Sequence, residues 1–593
     1  MQRRLDDLTG RTFDLVVIGG GIAGAAAACD AARRGLKVAL LERADFAAAS
    51  SSSLFKLAHG GLRYLQHADL VRLRQSARAR NHLLTLAPHL VRPLDIVVPT
   101  SGFGLSGRPA LRAALWIYDL ATADLRRMID DPAQAVPLGR IWGKDELRAA
   151  YPFLAADEFS GAGVFTEGLI TAPARVVLGF VEAAFEAGAV IANRVEVTGF
   201  DLDQGRVRAV AALDRLSGER LSIETRLVLD ASGPYAPGLS IGRLSAGKAP
   251  PIPFSRDAWF VVGKRLVEGD AAVALTARSH DPDALVSRGK RHLFLVPWRG
   301  RTLVGVWHKV YRGLPDDYRV HDEEVAGWVQ EITEAAPGLG IRLDDIELVQ
   351  AGLLPFGENA NTGAAGDNLR YGHRSHFVDH SGTGAAGCAS LVAVRFTTAP
   401  LEAVRAVDRL ARQLDRKIEP TRLTEAPLPG GDIDDRDGLV RAIEARGFPL
   451  DLARGLVDRH GSRASGLVER AASRPELGVA LPGTDTLGIE VVVALEQEMA
   501  QDLADILFRR TETLTAGAVS TEALTRAAVI AGAVAGWGER RQQAEIERVA
   551  GLLAERRSGR ALLGRPFATV ETGSPADASA DPSPTVDVDG AGT

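Results

Sequence analysis

Cysteine is almost absent from this chain: two occur in 593 residues, Cys29 and Cys388. Two cysteines are too few for a disulfide framework, and their spacing does not suggest zinc. A reducing cytoplasm is therefore the expected compartment, and no metal site is expected. Long apolar runs are missing too, since none reaches the roughly 18 residues that a membrane-crossing helix needs. The opening Met1 to Arg11 is too polar for a signal peptide. Peripheral contact with the inner face of a cell membrane stays open. Net charge is small, −5 from Lys+Arg 70 against Asp+Glu 75, so nothing points to a nucleic-acid partner. What remains is ordinary globular composition, 46% hydrophobic and 24% charged. The chain is too long for one compact core, so about two or three domains are expected.

The most informative stretch begins with Phe13-Asp14-Leu15-Val16-Val17-Ile18, a β-branched apolar run that reads as a buried parallel strand. Gly19-Gly20-Gly21-Ile22-Ala23-Gly24 follows at once. Gly19 suits the tight turn, Gly21 a close approach to a pyrophosphate, and Gly24 close packing of helix on strand. Ala25 to Arg34 reads as a small-residue helix whose N-terminus would aim N–H groups at phosphates. Lys37 to Leu41 is a second strand, and Glu42 at its end suits an unphosphorylated ribose, as in FAD or NAD.

The next segment separates those two cofactors. Ser50-Ser51-Ser52-Ser53 leads into Lys56-Leu57-Ala58-His59-Gly60-Gly61-Leu62-Arg63-Tyr64-Leu65-Gln66, where a plain NAD domain would have another crossover unit. This segment resembles the FAD-dependent glycerol-3-phosphate dehydrogenase family, within the amino-acid-oxidase-like flavoproteins. That family carries a Ser/Thr-rich stretch running into Lys-Leu-Ile-His-Gly-Gly-Leu-Arg-Tyr-Leu-Glu. The resemblance extends from about residue 13 to residue 557. Leu227 to Tyr235 matches a family strand ending in Asn-Ala-Thr-Gly-Pro-Trp, and Phe294-Leu295-Val296-Pro297-Trp298 also matches. Ala351 to Pro355 corresponds to Ser-Gly-Val-Arg-Pro, and Leu391 to Thr398 to Gly-Gly-Lys-Leu-Thr-Thr.

The fold class implied is α/β: a Rossmann-like FAD-binding domain with an inserted antiparallel β-sheet substrate domain and a C-terminal α-helical domain. The oxidoreductase region would span 1–425, with FAD-binding parts at about 12–90, 155–245 and 345–415. Its substrate-domain parts would be about 91–154 and 246–344. Residues 426–558 would be helical, including one helix from Ile489 to Arg510. The acidic Pro/Ser/Ala/Gly-rich 559–593 would be a disordered tail. Ala68 to Leu86 reads as an amphipathic helix. Leu111 to Tyr118 reads as an apolar helix packed in the core, with a membrane-facing or dimer-facing surface as the alternative.

By the resemblance, FAD would be held by Gly19, Gly21, Ile22, Ala23, Gly24, Glu42, Ser50, Ser51, Ser52, Lys56, His59, Gly60 and Gly61. Later contacts would come from Val197, Ala231, Ser232, Gly233, Val394, Arg395, Phe396 and Thr397. A helix from about Pro400 to Leu414 would point its N-terminus at the flavin. A flavin enzyme needs a base for the heteroatom proton, a nearby cation and groups that hold substrate. His59 fits the base, although it could instead hold the turn by a hydrogen bond. Arg63 and Tyr64 match the pair that contacts substrate phosphate and hydroxyls, Arg63 having a solvated helix position as its plainer reading. Arg395 replaces the family lysine and keeps its charge.

Several positions depart from the family. Leu354 stands where an arginine would grip the phosphate, and leucine offers neither charge nor donor. Ala393 and Val394 replace two glycines, Leu54-Phe55 replaces small hydroxylic residues, and Val304 to His308 replaces Ile-Gly-Thr-Thr-Asp. The expected activity is FAD-dependent oxidation of a secondary alcohol, glycerol 3-phosphate or a related polyol phosphate, with electrons passing to quinone or another acceptor. An unphosphorylated hydroxy compound, hydroxy acid or amine is the alternative substrate, and a degenerate flavin-binding interaction protein is a second alternative. A peripheral membrane homodimer is the assembly that the family suggests.

Overall fold

The computed structural model describes residues 1–102, 104, 107–154, 159–238, 254–279, 290–355 and 375–557. The expected tail, 559–593, lies outside them. A six-stranded sheet carries the opening segment, with spatial order His376–Asp379, Cys388–Val392, Val228–Asp230, Leu15–Ile18, Val38–Leu41, Val190–Ala192. All its pairings are parallel except the one between His376–Asp379 and Cys388–Val392.

Alternation along Leu15–Ile18 explains why every residue of that strand is apolar. Leu15 and Val17 pack with helices Ile22–Arg33, Pro173–Glu186 and Ala399–Ala411. Val16 and Ile18 face the other way, against the three-stranded antiparallel sheet formed by Val195–Asp203, Arg206–Asp214 and Arg220–Glu224. Both faces of the strand are thus buried, as a parallel strand between two layers requires.

The second large sheet has nine strands, antiparallel except where Ala272–Arg278 runs parallel to Val91–Thr100. Helix Asp322–Ala335 covers one face, and Trp259, Phe294 and Val306 lie on the other. Strands Gly161–Ile170 and Ile346–Pro355, expected within the cofactor-binding parts, belong to this sheet. Their backbone donors are spent on antiparallel ladders, a pairing that local composition does not encode.

The C-terminal region packs helices Arg436–Glu444, Leu450–His460, Ala464–Ala472, Gly488–Glu496, Thr521–Ala535 and Glu539–Arg557 around one apolar core. The single helix expected from Ile489 to Arg510 is broken. Its first part ends at Glu496, Met499 takes a left-handed φ of 56°, and a π-helical turn, Asp505–Arg510, follows. Helix Arg108–Ala121 likewise departs from a plain core helix. Leu115 and Tyr118 are buried, whereas Trp116 and Leu120, each 65% exposed, lie a turn apart on the solvent side.

Candidate functional site

A cavity of about 2370 Å3 runs from the glycine turn after Leu15–Ile18 to the inner face of the nine-stranded sheet. That exceeds the roughly 300–1,000 Å3 typical of a single small-ligand pocket. At one end the chain is built for backbone approach. Gly19 has φ +99°, and a Cβ there would lie 2.8 Å from the Ser232 Cα. At Gly24 a Cβ would lie 1.9 Å from the Gly19 carbonyl oxygen. Gly21 opens helix Ile22–Arg33, and the Ile22 N–H donates to Ser51 Oγ at 3.1 Å.

Glu42 caps the next strand. Its carboxylate accepts the Gly20 N–H at 2.6 Å and the Ala44 N–H at 2.7 Å. Burial raises the Glu42 carboxyl above the ordinary carboxylate range, and the two N–H donors oppose the rise. Carboxylate oxygens have lone pairs beyond these two bonds, and the residue lines the cavity.

The chemistry-bearing side chains gather at the other end. His59, Arg63, Tyr64 and Arg395 all line the cavity. The Arg395 guanidinium sits 5.2 Å from the Tyr64 ring centroid, a cation–π contact between distant segments. His59 is exposed to the cavity, with its ring centroid 6.4 Å from that of Phe294. Its Nδ1 lies 3.9 Å from Glu167 Oε1, which leaves Nε2 on the opposite edge of the ring.

Glu167 is buried, and its Oε2 accepts the Gly60 N–H. The Tyr118 hydroxyl donates to the Gly60 carbonyl at 3.2 Å and itself accepts from Arg80. Both polar groups of the Gly60 peptide are therefore held, and the histidine before it is aimed. Burial lowers the His292 imidazole, with the Arg63 charge adding to the effect.

Most of the sequence-expected contacts stand on this wall: Gly19, Gly21, Ile22, Ala23, Glu42, Ser50, Ser51, Gly61, Val197, Ala231, Ser232, Gly233, Val394, Phe396 and Thr397 join the residues above. Gly24, Ser52, Gly60 and Lys56 do not. Gly24 lies behind the turn against Gly19, and the Ser52 hydroxyl donates to the Ala49 carbonyl at 3.2 Å. A Cβ on Gly60 would meet Arg80 and Tyr118 at 2.4 Å, so its role is packing. Lys56 turns away entirely. Its ammonium is buried against Glu512 at 2.8 Å, because an amine taken out of water needs an anionic partner.

Sequence reasoning missed Glu167, His292, Trp259 and Asp257; the last pairs with His308, one of the departing positions, Oδ1 to Nδ1 at 2.8 Å, and all five residues line the cavity. A lone acid inside the apolar strand Gly161–Ile170 was the available signal for Glu167. Leu354, Ala393 and Val394 face the cavity as well.

The family model described as FAD dependent oxidoreductase matches residues 14–393. A second model, the C-terminal domain of alpha-glycerophosphate oxidase, matches 422–542. A glycerol-3-phosphate dehydrogenase of Synechocystis is 28% identical over 518 residues, covering 86% of this chain and 90% of that protein. Glycerol-3-phosphate dehydrogenase 2 of Mycobacterium tuberculosis is 29% identical over 511 residues, covering 84% of this chain and 80% of its own. Among solved structures, the glycerol-3-phosphate dehydrogenase of Bacillus halodurans complexed with FAD superposes with TM-score 0.69 at 23% identity. It covers 96% of this chain and 98% of its own, and the likeness is one of fold.

Proposed function

The chain belongs to the FAD-dependent oxidoreductase family, and on that footing we propose that it oxidises a small secondary alcohol, glycerol 3-phosphate or a related polyol phosphate. FAD is its cofactor, and the glycine positions suit it: side chains at Gly19 and Gly24 would collide with backbone, and the cavity passes directly over that turn. Gly19, Gly21, Ile22, Ala23, Glu42, Ser50, Ser51, Ala231, Ser232 and Gly233 would hold its nucleotide half. Gly61, Val394, Arg395, Phe396 and Thr397 would hold the flavin end. Bound FAD supplies the hydride acceptor for oxidation at the carbon that bears the hydroxyl.

The rest falls to side chains. His59 takes the hydroxyl proton at Nε2, while the carboxylate of Glu167 on the Nδ1 side supports the charged ring. Arg63 and Tyr64 bind and orient the polyol and its phosphate, and Arg395 adds a positive charge to the same wall. Trp259, Phe294 and Val306 form an apolar wall that limits water around the reacting carbon. The single observation that carries the reading is one continuous cavity joining the glycine turn to His59, Arg63, Tyr64 and Arg395.

A second reading, an unphosphorylated hydroxy compound, hydroxy acid or amine as substrate, is favoured by Leu354 on the cavity wall. Steady-state turnover of glycerol 3-phosphate and of glycerol with an artificial acceptor distinguishes the two. Preference for the phosphate supports the first reading, and equal or better use of phosphate-free alcohols replaces it with the second.

Electrons would leave to quinone or another acceptor. Among the described residues no helix is long and apolar enough to cross a membrane. Contact with a lipid surface would fall to Trp116, Ile117 and Leu120 together with Leu70 and Val71, all exposed. A homodimer through the same face is the competing use of that patch.

A further inference from the structure

Two ends of one cavity-lining loop are tied to the C-terminal helical domain. Between Asp45 and Lys56 the chain supplies Ala47, Ala48, Ala49, Ser50, Ser51, Ser53, Leu54 and Phe55 to the cavity wall. Neither end residue faces that cavity; Asp45 is 0% and Lys56 1% exposed. The Asp45 carboxylate accepts Arg509 Nε at 2.5 Å and Arg510 Nη1 at 2.7 Å and Nη2 at 2.8 Å. Asn193 Nδ2 adds a fourth donor at 3.1 Å. Burial works to raise this carboxyl, but the Arg510 and Arg509 charges outweigh it and hold it well below the ordinary range. At the other end Lys56 Nζ donates to Glu512 Oε2 at 2.8 Å, and Glu512 Oε1 accepts the Ala174 N–H at 3.0 Å.

All three partners, Arg509, Arg510 and Glu512, come from one short segment at and just after the π-helical turn. That wider turn brings consecutive side chains closer to a common direction than an α-helix does. Backbone conformation adds a second, independent sign that the loop is held rather than relaxed. Ala47 has φ 60°, Lys56 φ 55° and Glu512 φ 51°, a left-handed region that non-glycine residues keep only when their surroundings impose it. A buried ion pair is weak evidence of added stability, yet losing one partner strands a charge.

We propose that Asp45, Lys56, Arg509, Arg510 and Glu512 are positioning residues for FAD, so that cofactor binding and docking of the C-terminal domain are thermodynamically linked. The inference rests on the FAD assignment and goes beyond it: a domain that contributes none of these side chains to the cavity sets the shape of the loop that holds the cofactor. Linkage is reciprocal, so FAD should tighten the docked helical domain by the same factor by which docking tightens FAD.

The test uses the full-length protein stripped of flavin. FAD dissociation constants are measured by flavin fluorescence for wild type, Lys56→Met, Asp45→Asn and a control, Glu324→Gln. The control breaks the pair of Arg256, on strand Phe254–Val262, with Glu324, on the helix that covers the outer face of that sheet. Weakening of about tenfold or more in the first two variants, with the control within about twofold of wild type, is expected. Wild type is also digested with and without FAD, a measurement that needs no variant to fold. Slower cleavage between residues 498 and 557 with FAD is expected. Unchanged FAD affinity in both loop variants, or cleavage indifferent to FAD, overturns the linkage while the cofactor assignment stands. Wild type that binds no FAD overturns both.

Discussion

Two glycines of the fingerprint should fail in different ways when alanine replaces them. At Gly24 the added Cβ would lie 1.9 Å from the Gly19 oxygen, 3.1 Å from the Gly19 carbonyl carbon and 3.4 Å from the Ala231 Cβ. Relieving the first contact needs a separation greater by more than about 1 Å. Neither side can yield cheaply, because the Gly19 N–H is bonded to the Leu41 carbonyl at 2.8 Å and the helix is packed in the core. Overpacking costs about 1–3 kcal/mol where side chains can adjust; here the obstacle is backbone, so about 3 kcal/mol is the expected loss. That is more than a hundredfold in the folding equilibrium.

At Gly21 the new Cβ meets Ser51 Oγ alone, at 3.1 Å, and φ −79° with ψ −178° is extended backbone open to any residue. The fold should lose less than about 1 kcal/mol, as at an open surface site, yet the methyl projects where the pyrophosphate must approach. Circular-dichroism melts of flavin-free protein, paired with FAD titration, separate the outcomes. Gly24→Ala should melt early, whereas Gly21→Ala should melt like wild type but bind FAD at least about tenfold more weakly. A Gly24→Ala protein with wild-type melting would remove the packing role of Gly24, and a Gly21→Ala protein with wild-type FAD affinity would remove Gly21 from the pyrophosphate site.

Leu354→Arg should raise kcat/KM for glycerol 3-phosphate relative to glycerol by about ten- to a hundredfold, the worth of a charge-assisted fork on phosphate; no change in the ratio removes Leu354 from the phosphate side. His59→Gln should lower kcat by about a hundredfold or more while FAD stays bound; loss of flavin with modest loss of kcat would mean that His59 serves the turn instead. His89 is 2% exposed, and burial, with the Arg175 and His460 charges adding, pushes its imidazole from 6.5 down to about 3. The unfolded chain takes a proton that the fold resists, so this contribution is complete above about pH 6.5 and shrinks as pH falls toward 3. At pH 5 it has cost about 2 kcal/mol, and denaturant melts of His89→Gln should show a shallower loss across that range. Trp116→Ser with Leu120→Ser should weaken sedimentation with anionic lipid vesicles by about tenfold or more, with soluble-acceptor turnover unchanged; full binding would exclude that helix face.

Local sequence determined what depends on neighbouring residues. The buried strand Leu15–Ile18, the glycines behind it, Glu42 at the next strand end and the His59-Gly60-Gly61 turn are contiguous, and each has a backbone or chemical reason to be what it is. Family likeness carried the reading further, to Arg395, but its contact with the Tyr64 ring is set by the fold. Tertiary structure decided whatever depends on partners far along the chain. Lys56 sits inside the most legible motif, yet it faces Glu512 rather than the cavity, because a buried ammonium goes where its counter-ion is. Glu167 holds the Gly60 peptide from a strand that nothing local ties to that turn. The break at Met499 falls inside a stretch that reads as one helix, and the segment after it carries the two arginines that pair with Asp45. Periodicity and glycine spacing are written residue by residue; the pairing of buried charges is settled only when the domains close on one another.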